Sequence, residues 1–266
     1  MSTTPTHAPG TFCWVDLGAH DPQAARRFYT ALFGWEANDN RYGPAEGDVY
    51  TMYRLDGKDV AASYGMDPNQ KTMGLPSAWL CYVAVEDADA SASKAKELGA
   101  TLMAEPFDVM EVGRMALVQD PTGALFALWK AASHTGFGVR GEPGSPGWFE
   151  LATADSAKAS AFYQGLFGWT TQTMNNTGTE YTVFGGPSGM IGGMYQTGEH
   201  NAGMPPCWLP YFVVEDTDAG AEKAKPLGAE VMYGPLDIPG IGRFALLRDV
   251  QGAMFYLATF LPPQQS

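Results

Sequence analysis

The chain repeats itself, and that constrains its fold more than any other feature. The segment WVDLGAHDPQAARRFYTALFGWE, Trp14 to Glu36, returns as WFELATADSAKASAFYQGLFGWT, Trp148 to Thr170, an offset of 148 − 14 = 134. WLCYVAVEDADASASKAKELGA, from Trp79, returns as WLPYFVVEDTDAGAEKAKPLGA, from Trp208, an offset of 208 − 79 = 129. The likeness runs on through GRMALVQDPTGALFAL and GRFALLRDVQGAMFYL. Such long-period self-similarity means that one folding unit has been copied. It predicts a first domain over residues 11–133, a Gly- and Pro-rich linker over 134–146, and a second domain over 147–261. The five-residue difference between the offsets predicts a shorter loop in the second copy, placed near Asn38 to Gly47.

A weaker repeat lies inside each half. A short apolar strand runs into an Asp, and a helical stripe follows. Asp21 suits an N-cap, Pro22 the first helical position, and Gly34 the position beyond the end. Ala25, Phe28, Tyr29, Leu32 and Phe33 then share one helix face. Asp87 and Gly99, Asp155 and Gly168, and Asp216 and Gly228 bracket three more helices, with Pro226 expected to loosen the last turn of the fourth. β-rich runs such as VYTMYRLDG, RMALVQD and ALFALWK come after the helices, and DPTG reads as a hairpin turn. The pattern is β-α-β-β-β four times over, an α+β class with helices on one face of mostly antiparallel sheets.

Sixteen Lys and Arg face 29 Asp and Glu, for a net charge of −13. That balance argues against nucleic acid or an anionic membrane as partner, since both need basic surface. No apolar run is long enough for a membrane span, and MSTTPTHAPG lacks the basic and apolar regions of an export signal, so a cytoplasmic protein is expected. Cys13, Cys81 and Cys207 are far apart and read as reduced strand residues. The four histidines are scattered: His7 in the tail, His20 before a helix cap, His134 opening the linker, His200 in a loop.

The β-α-β-β-β unit, the FYxxLFGW helix end and the GR…DPxGA hairpin together resemble the vicinal oxygen chelate superfamily of glyoxalases, bleomycin resistance proteins and extradiol dioxygenases. The closest likeness is to tandem two-domain actinobacterial members. The resemblance implies paired modules forming cup-shaped sheets. It also implies, in metal-using members, a His near the start of the first strand and a Glu after the DPxG turn. Carried onto this chain, the His positions fall on Trp14, Leu80, Trp148 and Leu209, and the Glu positions on Ala127 and Tyr256. Indole and alkyl groups cannot ligate a metal and a neutral phenol does so poorly. No metal site and no cofactor are therefore expected.

The same alignment lines the first cup with Trp14, Asp16, Tyr82 and Trp129, and the second with Trp148, Glu150, Tyr211 and Tyr256. Aromatic faces around one carboxylate suit a flat, partly aromatic molecule bearing a cation or hydroxyls. Arg114 and Arg243, equivalent in the repeat, read either as clamps on a ligand oxygen or as bridges to Asp108 and Asp237. Trp79 and Trp208, on the opposite face, read as core. The favoured function is metal-independent binding of an aromatic natural product, for antibiotic sequestration or as a biosynthetic accessory. Its partner is a small aromatic molecule, with room for a biosynthetic enzyme, and the chain is a monomer or weak dimer. The alternative is an enzyme, a glyoxalase-like lyase or isomerase or an oxygenase component, with Asp16 or Glu150 as general base.

Overall fold

The computed structural model describes residues 7–44, 48–174, 180–198 and 204–262. His200 lies outside the described residues. Each of the four modules has the expected order. The first is β1 (Phe12–Ala19), α1 (Pro22–Phe33), β2 (Glu36–Arg41), β3 (Val49–Leu55) and β4 (Lys58–Gly65). A short helix, α2 (Pro68–Thr72), which the sequence pattern did not announce, leads to the second: β5 (Ala78–Ala84), α3 (Ala88–Glu97), β6 (Thr101–Val109), β7 (Gly113–Gln119) and β8 (Leu125–Ala131). The third is β9 (Pro146–Thr153), α4 (Ser156–Phe167), β10 (Thr170–Met174), β11 (Tyr181–Gly186) and β12 (Gly189–Gln196). The fourth is β13 (Cys207–Val213), α5 (Thr217–Ala224), β14 (Glu230–Ile238), β15 (Gly242–Arg248) and β16 (Met254–Phe260).

Two eight-stranded sheets result, in the orders β2-β3-β4-β1-β5-β8-β7-β6 and β10-β11-β12-β9-β13-β16-β15-β14. Neighbours joined by turns are antiparallel, whereas β1 with β4, β5 with β8, β9 with β12 and β13 with β16 are parallel. The class is α+β, as the pattern required. All four predicted caps form: Asp21, Asp87, Asp155 and Asp216 each accept backbone N–H groups at the start of α1, α3, α4 and α5. Instead of the loosened last turn expected from Pro226, α5 passes there into a 3-10 turn at Lys225–Leu227, a tighter winding.

Strand register relocates the missing residues of the second copy. Tyr50 pairs with Tyr64 on β4, and Tyr181 with Tyr195 on β12. The offsets here are 181 − 50 = 131 and 195 − 64 = 131. Three residues are thus lost between α1 and β3, and two more in the β4–β5 connection, not all five in one loop.

By spatial contact the chain divides into two compact units. One gathers residues 1–14, 80–136 and 149–209; the other gathers 15–79, 137–148 and 210–266. Each unit is braced by a buried polar triplet. In the first, the Tyr163 hydroxyl on α4 donates to Asp120 Oδ2 at 2.8 Å, and Trp208 Nε1 donates to Tyr163 Oη at 2.8 Å. In the second, Tyr29 on α1 donates to Asp249 Oδ2 at 2.9 Å, and Trp79 Nε1 donates to Tyr29 Oη at 3.1 Å. Burial, reinforced by the facing Asp, holds both phenols far above their ordinary range. The Tyr of FYxxLFGW and the Asp of the D-x-x-G turn therefore hold a helix to a hairpin. Trp79 and Trp208 are core residues.

The connecting segment is fixed by specific bonds, despite its Gly- and Pro-rich composition. Trp129 Nε1 donates to the His134 carbonyl at 3.1 Å, Gly138 N to the Asp59 carbonyl at 2.7 Å, and Trp35 Nε1 to the Gly144 carbonyl at 2.6 Å.

Candidate functional site

In the first unit, β1 carries Trp14, β5 carries Tyr82, and β8 carries Ala127 and Trp129, with Tyr82 opposite Ala127 in the parallel register. Trp129 meets Tyr82 edge-on, with centroids 6.1 Å apart and planes at 80°. Its indole lies across Gly113 on β7, where an added Cβ would come within 2.3 Å of the ring. Only glycine permits that approach. His134 joins this group. Its imidazole stands edge-on to Trp14 at 4.5 Å and lies 5.9 Å from Trp129. The histidine expected merely to open the linker is therefore delivered onto an aromatic wall.

Also in the first unit, Glu150 on β9 is 5% exposed and pairs with Gly193 on β12. The Tyr181 side chain lies over Gly193, whose missing Cβ would come within 2.2 Å of the hydroxyl oxygen. Tyr195 is one register step further, opposite Ala152. Burial pushes the nearby Cys207 thiol up to about 12, and the Glu150 charge adds to the shift, so this thiol is no nucleophile. Cys13 and Cys81 are buried, and Cys13 Sγ donates to the Tyr82 carbonyl at 3.6 Å.

In the second unit, Asp16 on β1 is 2% exposed and accepts a hydrogen bond from the Tyr50 hydroxyl at 3.1 Å. Burial raises the Tyr64 phenol, and the Asp16 charge raises it further. The Tyr64 phenol therefore stays protonated at neutral pH, and Tyr50 is the donor to Asp16. Asp16, Tyr50 and Tyr64 correspond through the repeat to Glu150, Tyr181 and Tyr195. Each carboxylate has one tyrosine on the adjacent strand, Tyr64 or Tyr195, and one on the strand beyond it, Tyr50 or Tyr181. The four tyrosines were missed in the sequence although a signal existed: YTMY at Tyr50 matches YTVF at Tyr181. Elsewhere in this unit, Tyr211 on β13 and Tyr256 on β16 stack at 4.1 Å and 15°. Trp148 is half-buried.

The two arginines are not brought to these faces. Arg114 donates through Nε and Nη2 to both oxygens of Asp89 on α3, at 2.7 and 2.8 Å, and through Nη1 to Asp108 at 2.9 Å. Arg243 makes the same pattern with Asp218 on α5 and Asp237. The bridges to Asp108 and Asp237 are present, and each arginine has a second, helical partner that the sequence did not name. These bonds lower the Asp89 and Asp218 carboxyls and raise both guanidiniums.

The donor set does not fit a catalytic metal ion. Trp14, Leu80, Ala127, Trp148, Leu209 and Tyr256, the residues to which the superfamily resemblance assigns a ligand set, lie on β1, β5, β8, β9, β13 and β16 and bring no His, Asp or Glu. Among the described residues no group of three or more His, Cys, Asp or Glu side chains is placed to hold an ion. Among the same residues no helix is long and apolar enough to cross a membrane. What the faces do offer is ring stacking, edge contacts, and a carboxylate with phenolic donors beside it.

This duplicated β-α-β-β-β architecture defines a class of paired-module proteins, and the comparisons place the chain within it. The model of the Glyoxalase/Bleomycin resistance protein/Dioxygenase superfamily matches residues 11–128 and 145–257, and the chain belongs to that superfamily. It is 41% identical over 256 residues to "Putative glyoxylase CFP32" of Mycobacterium tuberculosis, covering 96% of this chain and 97% of that one. It is 37% identical over 260 residues to "Anthracycline biosynthesis protein DnrV" of Streptomyces peucetius, covering 93% and 92%. Among solved structures, the Mn(II)-bound glyoxalase from Novosphingobium aromaticivorans matches with a TM-score of 0.65 at 14% identity, covering 97% of this chain and 85% of that one. At that identity the likeness speaks for the fold alone.

Proposed function

We propose that the protein binds a planar aromatic natural product by contact alone, without a metal ion, either to sequester it or to serve its biosynthesis. The observation that carries this reading is the carboxylate flanked by tyrosines, Asp16 with Tyr50 and Tyr64, repeated as Glu150 with Tyr181 and Tyr195. A buried carboxylate is costly to hold, and a cationic or hydroxylated ligand would offset that cost through charge-assisted hydrogen bonds. Trp14, Tyr82 and Trp129 in one unit, and Trp148, Tyr211 and Tyr256 in the other, supply faces for aromatic rings. The net charge of −13 favours a cation. The DnrV relative, named for anthracycline biosynthesis, supports a polycyclic aromatic bearing an amino sugar. In this reading Arg114 and Arg243 hold strands to helices and do not touch the ligand.

The test is titration with an amino-sugar anthracycline while tryptophan fluorescence is followed. Wild-type protein should saturate with or without chelator. Substituting the carboxylate that the ligand meets, Asp16→Asn or Glu150→Gln, should weaken binding roughly tenfold or more, the scale of one hydrogen bond to a charged group. A flat titration overturns the reading. The second reading, a glyoxalase-like enzyme with Asp16 or Glu150 as general base, is favoured by the name of the CFP32 relative. Stoichiometric transition metal in protein purified without chelator, with turnover of a methylglyoxal–thiol adduct, would establish it.

A further inference from the structure

The two copies distribute bulk differently along the strand that faces the aromatic wall. On β8 the order is small then large: Ala127 opposite Tyr82, then Trp129. On β16 it is large then small: Tyr256 opposite Tyr211, then Ala258. The total bulk is similar, but its place has moved by one register step. In the second unit the consequence is a filled site. Tyr256 lies parallel on Tyr211 at 4.1 Å, Phe244 meets Tyr211 edge-on at 5.8 Å, and Phe260 meets Phe244 edge-on at 5.6 Å. Tyr211, Phe244 and Tyr256 are buried, so the stack is packed on its neighbours. At the corresponding place in the first unit, Ala127 supplies only a methyl group beneath Tyr82. Tyr82, Trp129 and Trp14 are nevertheless well covered, at 6%, 4% and 2% exposure. Part of that cover is His134, whose ring stands on Trp14 and near Trp129. The His134 backbone is held, its N–H donating to the Val112 carbonyl at 3.0 Å and its carbonyl accepting from Trp129 Nε1 at 3.1 Å, so withdrawing the ring takes a rotation of the side chain alone.

We infer that the two copies are not equivalent sites. A ligand ring stacks on Tyr82 above Ala127 in the first unit when His134 moves aside. Tyr256 already holds the matching place on Tyr211 in the second. The internal Tyr211–Tyr256 stack shows the geometry that an incoming ring would adopt on Tyr82. Ala127 is then the residue that sets how large a ring system enters, and the chain takes up one aromatic ligand. This inference rests on the binding function proposed above.

The experiment is isothermal titration of the full chain with the amino-sugar anthracycline, with native mass spectrometry as an independent count. Wild type should bind one molecule. Ala127→Tyr with Trp129→Ala gives the first unit the bulk order of the second. It should lose affinity at least tenfold, with near-UV circular dichroism reporting that the fold is kept. Ala127→Ile, a milder change, keeps the test decisive if that pair does not fold, and should weaken binding severalfold. The reciprocal pair, Tyr256→Ala with Ala258→Trp, should raise the count to two. His134→Ala should speed association without loss of affinity. Two molecules on wild type, or affinity unchanged by filling Ala127, overturns this inference and leaves the binding function standing. No binding to wild type overturns both.

Discussion

Two features of this chain were duplicated, and only one has kept its form. The braces Tyr163–Asp120–Trp208 and Tyr29–Asp249–Trp79 use the same atoms in the same roles, within 0.3 Å for each bond. The aromatic faces have exchanged bulk, Ala127 and Trp129 against Tyr256 and Ala258. The difference has a physical source. A buried, fully bonded polar triplet tolerates no replacement, because any change strands a donor or acceptor at full desolvation cost. A face made of apolar and aromatic surface can trade one ring position for another at constant volume and keep the fold. The copies can therefore diverge in what they bind without diverging in how they are built.

That contrast can be broken from either side, and the largest effect should come from the faces taken singly. Tyr256→Ala removes a buried ring from a stack and should cost about 3–5 kcal/mol, whereas Ala127→Tyr should cost about 1–3 kcal/mol through overpacking. Denaturant midpoints measure both, and equal costs would mean that the two places are alike after all. The braces come next. Asp120 Oδ1 accepts from Thr122 N, Thr122 Oγ1, Gly123 N and Ala124 N, and its Oδ2 from Tyr163. Asp120→Ala should therefore lose about 3 kcal/mol or more. Asp249 Oδ1 accepts from Gln251 N and Ala253 N, and Asp249→Ala should lose about 2 kcal/mol.

Smaller again is the hold on His134. Gly136 has φ +103°, and an added Cβ would lie 2.2 Å from the Cys13 carbonyl. Gly136→Ala should cost about 1–3 kcal/mol and alter the fluorescence of the Trp14 cluster. Unchanged fluorescence would place the segment elsewhere in solution.

Acidity offers a finer probe of the braces. Burial raises the Asp249 carboxyl above its ordinary range. The folded chain then binds that proton more readily than the unfolded chain. Stability carried by Asp249 is thus present at low pH and falls as pH rises from about 4 through the raised folded value. Asn carries no such titration. Asp249→Asn should make the plot of melting temperature against pH less downward-sloping across that window, and an unchanged slope would remove Asp249 as its source. The smallest effect belongs to Arg114→Ala and Arg243→Ala. Their partners are exposed and solvent-screened, so melting temperature and ligand affinity should both stay near wild type.

Caps, strand periodicity and the internal repeat exposed nearly all of the fold in the sequence, because these are local signals set by a few neighbouring residues. The helix ends at Asp21, Asp87, Asp155 and Asp216 could be read directly, and so could the four-module order. Asp16 and Glu150 were visible as carboxylates on strands otherwise buried. Their tyrosine neighbours were harder to see. Tyr50 and Tyr64 are tens of residues from Asp16 along the chain, and only β-pairing lays them beside it. Arg114 read more readily as a bridge to Asp108 than as a clamp on a ligand, but its second partner, Asp89 at 2.7 Å, appears only once α3 is in place.

Sequence by itself thus determined the duplication, the α+β class and the four helix caps, since each follows from residue identity and spacing. Tertiary structure alone decided which rings meet. It set His134 against Trp14, stacked Tyr256 on Tyr211, and left Ala127 beneath Tyr82. Ring contacts depend on register between distant strands and on the path of a connecting segment, and no local pattern of residues encodes either.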